Sequence, residues 1–127
     1  MKTTELKGPA LDWAVAKCEG YTDLRTNPHH HASTNELIMT PPRREYGAVL
    51  LADYCFSTDW AQGGPIIERE RIDIWRNEPC WSASRGVVIR GIDGATPLIA
   101  AMRCYVASKL GAEVEVPDEL RGENNGT

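Results

Sequence analysis

The chain is short of positive charge. Over its 127 residues, 14 Lys and Arg stand against 18 Asp and Glu, a formal net charge of -4. Phosphate backbones are gripped by concentrated basic surfaces, so this balance argues against duplex nucleic acid as a partner. Long apolar runs are missing too. The longest, Ala48 to Ala52 and Ile99 to Met102 with their neighbours, fall far short of the roughly 20 residues that a membrane-spanning helix needs. Met1-Lys2-Thr3-Thr4-Glu5 leads into a polar stretch and not the apolar core of a secretory leader, so a cytoplasmic protein is expected. Closely paired cysteines are absent. Cys18, Cys55, Cys80 and Cys104 are scattered without a C-x-x-C pair, which argues against structural zinc. Cys18 and Cys104 instead sit on apolar helix faces as small hydrophobes. No G-x-S-x-G, H-E-x-x-H, phosphate loop or dinucleotide fingerprint occurs, so binding is expected ahead of catalysis, with no cofactor and no bound metal. The run His29-His30-His31 lacks the spacing of a built metal site and reads as adventitious surface.

What is present suits one folded domain over residues 1–127, since 42% apolar and 25% charged residues are ordinary for a packed chain of this size. A helix is predicted from Pro9, with Leu11, Ala14, Val15 and Cys18 forming its apolar stripe and Gly20 stopping it. Trp13 falls off that stripe. Residues 22–46 turn polar and irregular around Asn27-Pro28 and Pro41-Pro42, with short strands at Glu36 to Met39 and Ala48 to Ala52. Ile72 and Ile74 alternate with charges as a half-buried strand, while Ile66 to Glu70 before them could be a short helical turn opened by Pro65; Asn77-Glu78-Pro79 reads as a turn into Cys80 to Ser84, a hairpin with a third strand from Val87. Thr96 is a good N-cap for a second helix that starts at Pro97 and ends at Gly111. Val114 and Val116 alternate as an edge strand, and residues 121–127 are expected to fray. The expected fold is α+β: two helices packed on a small antiparallel sheet, with a long irregular loop.

The stretch "STDWAQGGPII", Ser57 to Ile67, concentrates the candidate chemistry. Ser57, Thr58 and Asp59 can cap backbone donors, Gly63 and Gly64 permit close approach of a partner, and Trp60 with Gln62 could stack on a flat ring and read its edge. The alternative is a structural Asx-type turn over a tryptophan that fills the core. Trp75 and Trp81 flank the hairpin turn, and the parity of the strand points Trp75 away from Ile72 and Ile74. Arg103, on the second helix near its apolar face, stands out among the arginines as an anion fork, with Arg43, Arg44, Arg69, Arg71 and Arg76 as further candidates. The candidate ligand-binding set is therefore Ser57, Thr58, Asp59, Trp60, Gln62, Gly63, Gly64, Trp81 and Arg103.

Three segments, "GPALDWAVAKCEG" (Gly8 to Gly20), "STDWAQGGPIIERE" (Ser57 to Glu70) and "TPLIAAMRCYVASKLGAEVEVPDEL" (Thr96 to Leu120), together resemble the NinX-like proteins of tailed phages and prophages. The resemblance implies phage origin and a place in the host cytoplasm, and it carries over no activity and no catalytic residues. Residues and resemblance together lead to the expectation of a non-catalytic phage accessory protein. It would bind a small anionic or nucleotide-like ligand, by analogy with sequestration of a host defence signal. The alternative is a protein-interaction module that inhibits a host factor, with a small enzyme third. Exposed aromatics on a small domain also lead us to expect a homo-oligomer.

Overall fold

In the computed structural model the described residues are 1–27, 36–87 and 89–125. Four helices, α1 (Gly8–Cys18), α2 (Trp60–Glu70), α3 (Pro97–Leu110) and α4 (Asp118–Asn125), accompany two antiparallel three-stranded sheets. The first sheet is β1 (Thr22–Thr26), β2 (Leu37–Thr40) and β3 (Val49–Leu50), and the second is β4 (Asp73–Asn77), β5 (Cys80–Arg85) and β6 (Ile89–Gly94). The α+β class holds, with two more helices and one more sheet than the sequence predicts. The triple histidine, Pro28 and Val88 lie outside the described residues.

α3 is the central element. Thr96 Oγ1 accepts the Ile99 N–H at 3.1 Å, Pro97 occupies the first turn, and Gly111 follows with φ 91°, the start and stop that the sequence predicts. Leu98, Ala100, Ala101, Met102, Cys104, Tyr105 and Val106 are all buried, because β4, β5 and β6 cover one side while α1 and α2 cover others. Small residues set how closely the sheet approaches: a Cβ on Gly94 would sit 2.4 Å from the Ala100 nitrogen. In the hairpin, Ile74 pairs with Ala83 and Trp75 with Ser82, which sends Trp75 to the face away from Ile74 as its parity requires. Burial pushes the Cys18 thiol up to about 12 and Cys104 up to about 11, in keeping with cysteines that serve as packing groups.

Four local differences from the sequence reading stand out. Trp13 is 8% exposed, since α1 is packed by both α3 and α4 and its apolar side is wider than one stripe. Val114 and Val116 are buried but belong to no named strand; Val114 exchanges backbone hydrogen bonds with Met1 at 2.9 Å beside the isolated bridge Lys2–Glu113. Beyond them α4 runs Asp118–Asn125, where fraying is predicted, and seats a fully buried Leu120 against α1. Finally, residues 22–46 contain the paired strands β1 and β2. Among the described residues no helix is long and apolar enough to cross a membrane.

Candidate functional site

The stretch from Ser57 to Ile67 is a helix start and not a loop. Asp59 is the N-cap of α2, its Oδ1 accepting the Ala61 N–H at 3.0 Å, and the helix runs through Gly63, Gly64 and Pro65 to Glu70. Glycine and proline are poor helix residues, so periodicity and propensity hide this element. Packing restores it. A Cβ on Gly63 would lie 2.4 Å from the Phe56 carbonyl and 2.6 Å from Leu98 Cδ1, so α2 reaches α3 only with glycine there. Gly64 has no such constraint; the nearest atom to its Cβ would be Trp60 Cε3 at 3.9 Å.

Ser57 and Gln62 are tied into internal structure as well. Ser57 is buried, and its N–H donates to Asp12 Oδ1 at 2.9 Å. Gln62 Oε1 accepts the Cys55 N–H at 2.8 Å, while its Nε2 donates to the Asp53 carbonyl at 3.2 Å and to Asp59 Oδ2 at 3.3 Å. Thr58 is exposed, its N–H donating to the Cys55 carbonyl at 3.1 Å. Trp60 is 53% exposed at the first helical position. The structure therefore gathers Ser57 to Gly64 into one capped helix start, in which Thr58, Trp60 and Ala61 face solvent.

Trp81 and Arg103 serve elsewhere. Trp81 is half-buried in β5 with the Arg76 guanidinium 5.4 Å from its ring centroid. Arg103 donates from Nε to the Leu6 carbonyl at 2.7 Å and from Nη1 to the Asp93 carbonyl at 2.9 Å, tying α3 to the N-terminal segment and β6. Two further arginines from the sequence reading also find anions within the chain. Arg76 pairs with Glu78 at 2.8 Å. Arg69 pairs with Glu19 at 2.6 Å and Glu70 at 2.8 Å, and Glu19 also accepts the Tyr105 hydroxyl at 2.5 Å. Burial works to raise the Glu19 carboxyl, but the hydrogen bonds from Arg69 and Tyr105 hold it below its ordinary value.

An open cleft of about 590 Å³ lies next to the predicted stretch. Its apolar walls come from Pro9 on α1, Leu37 on β2, Leu50 and Leu51 around β3, Tyr54, and Leu120 on α4. Asp12, Glu36 and Glu119 bring carboxylates to the same space. The stretch braces this cleft from behind. Cys55 and Asp12 both line it, and they are the groups that Gln62 and Ser57 hold in place. Tyr54 is itself wedged between Tyr21 (centroids 4.9 Å apart) and Phe56 (5.8 Å). Burial pushes the Asp12 carboxyl above its ordinary range, opposed by hydrogen bonding from Ser57. Sequence reasoning missed this site because its walls come from four separate segments. One signal was present: Asp12 interrupts the apolar run of α1, where a carboxylate needs a reason.

The family model described as Bacteriophage P22, NinX matches residues 2–109. The chain belongs to this phage family. No curated protein matches it. The match to the NinX family spans α1 through nearly all of α3, and Glu119 and Leu120, which close the cleft from α4, lie beyond it.

Proposed function

We propose that this NinX-family chain is a phage accessory protein that works by binding, without turnover, and that it captures a small ligand in the cleft between α1, the first sheet and α4. The observation that carries this reading is the cleft itself. Its volume of about 590 Å³ is that of a small-molecule site, and apolar walls with a few polar groups are the usual make-up of one. Sequestering a small signal in the infected cell is a use that such a cleft would serve. The nucleotide-like, anionic ligand expected from the sequence fits it poorly, because three carboxylates line the space.

The test is a melting-temperature screen of the chain against nucleotides and small amphipathic metabolites. A ligand held by the folded state alone, at a hundred times its Kd, adds about 2.7 kcal/mol of stability. We expect at least one compound to raise Tm, to lose that effect in Ala52→Trp, and to be recovered with unchanged mass. A library without a single Tm shift contradicts capture, and a changed mass contradicts a purely binding role.

A second reading, contact with a host protein or with another copy of the chain, is favoured by the exposure of Trp60 (53%) and Trp75 (42%) on different elements. Affinity capture from host lysate with Trp75→Ala as control tests it. Loss of a partner in the variant supports the contact, and identical recovery removes Trp75 from it. Sedimentation at rising concentration tests self-association.

A further inference from the structure

We propose that the cleft selects a small organic cation, a protonated amine carried on an apolar body. This assignment rests on the capture reading and names the chemical class of its ligand. Asp12, Glu36 and Glu119 are the charged residues that line the cleft, Glu36 also accepting from Asn27 Nδ2 at 3.4 Å, and no lysine, arginine or histidine lines it among the described residues. Asp12 is the group that decides the sign. It sits in α1 at 8% exposure, and its hydrogen bond to the Ser57 N–H falls on Oδ1, with no cation paired to it among the described residues. A buried carboxylate left without a counter-charge is costly, and an arriving ammonium offsets that cost, whereas an arriving anion adds to it.

The contrast with Glu70 sharpens the point. That carboxylate is met by Arg69, Arg85 and Lys109 at 2.8, 3.0 and 3.7 Å, so this fold does supply cations to enclosed carboxylates elsewhere. Pro9, Leu37, Leu50, Leu51 and Leu120 supply the surface for a hydrocarbon body. Tyr54 lines the same space, and an aromatic face adds to the preference for a cation. Among the described residues no group of three or more His, Cys, Asp or Glu is arranged to hold a metal ion. The charge therefore suits an ion that brings its own apolar surface.

The test uses three probes of one shape: 4-phenylbutylamine, 4-phenylbutanol and 4-phenylbutyrate, titrated calorimetrically into the full chain. We expect the amine to bind at least tenfold more tightly than the alcohol, and the carboxylate more weakly than either. Asp12→Asn keeps an acceptor for the Ser57 N–H, and Glu119→Gln is an exposed change. Both should remove most of the amine's advantage while leaving the alcohol unchanged. Equal binding of amine and alcohol overturns the cation assignment and leaves capture standing, as does stronger binding of the carboxylate. Amine binding that persists in Ala52→Trp overturns the location. Failure of all three probes to bind overturns both readings. If the amine instead dissociates a dimer, a second copy fills the cleft and the assignment falls.

Discussion

The helix start at Ser57 to Gly64 and the cleft beside it differ in what their polar groups have left to offer. In the helix start, Asp59 and Gln62 spend their side chains on backbone donors and acceptors of the same segment, and Gly63 is consumed by the approach to Leu98. In the cleft, Asp12 meets the Ser57 N–H and, among the described residues, no cation, although it is nearly as enclosed as any core residue. A dense run of chemically able residues is therefore no sign of a site when its carboxylate and its amide are held by internal partners. A single enclosed carboxylate without a counter-charge is a better one. The two regions are also one construction, since the first holds the walls of the second.

The largest expected effect breaks the comparison at Gly63. Gly63→Ala places a methyl group against the Phe56 carbonyl and Leu98, and overpacking of this kind costs about 1–3 kcal/mol. Chemical denaturation should show that loss. If Gly63 served only to admit a ligand, stability would stay level.

Next comes the brace on the far side of α3. Glu19→Gln removes the charge that Arg69 and Tyr105 share, a loss of about 1 kcal/mol once the half-exposure of Arg69 is allowed for. The pH dependence has a definite sign. Glu19 and Glu70 are held below 4.5, Glu19 against its burial by Arg69 and Tyr105, and Glu70 chiefly by Arg69. Their stabilisation is therefore full above the unfolded value and is lost as pH falls through the folded one. Asp12 runs the other way. Raised by burial above 3.8, it contributes most below that value, and the contribution is lost as pH rises through the folded one. The difference between Glu19→Gln and the parent should vanish at low pH. The difference between Asp12→Asn and the parent should change with pH in the opposite sense. Parallel pH profiles for the two variants would remove the contrast between the carboxylates.

The smallest effect is the mirror of the first. Gly64→Ala meets nothing closer than 3.9 Å, and replacing glycine inside a helix by alanine adds about 0.5–1 kcal/mol. Opposite signs at adjacent glycines, read in one denaturation series, distinguish a packing glycine from a spare one. A loss at both would point to a role that internal packing does not explain.

Much of the frame was legible in the sequence. The helix from Thr96 to Gly111 is announced by its cap, its proline and its stop, and the hairpin by Asn77-Glu78-Pro79 between alternating strands. Those features are local, and local chemistry decides them. α2 was legible only in its last half, as a helical turn over Ile66 to Glu70, because Gly63, Gly64 and Pro65 argue against a helix before it, and the packing that outweighs them comes from Phe56 and Leu98. α4 was hidden for a similar reason: a polar tail is held by the burial of Leu120 against α1. Of the candidate site, Trp60 is exposed as a contact should be, while the cleft escaped notice because it joins α1, the first sheet, Tyr54 and α4 across the length of the chain.

The most direct measurement is a two-dimensional NMR titration of the isotope-labelled chain with 4-phenylbutylamine. We expect the resonances of Asp12, Leu51, Tyr54 and Cys55 to move in a saturable way while the indole N–H of Trp60 stays in place. Saturable movement of the Trp60 indole, with Leu51 and Tyr54 unmoved, would return the site to the helix start and contradict the account.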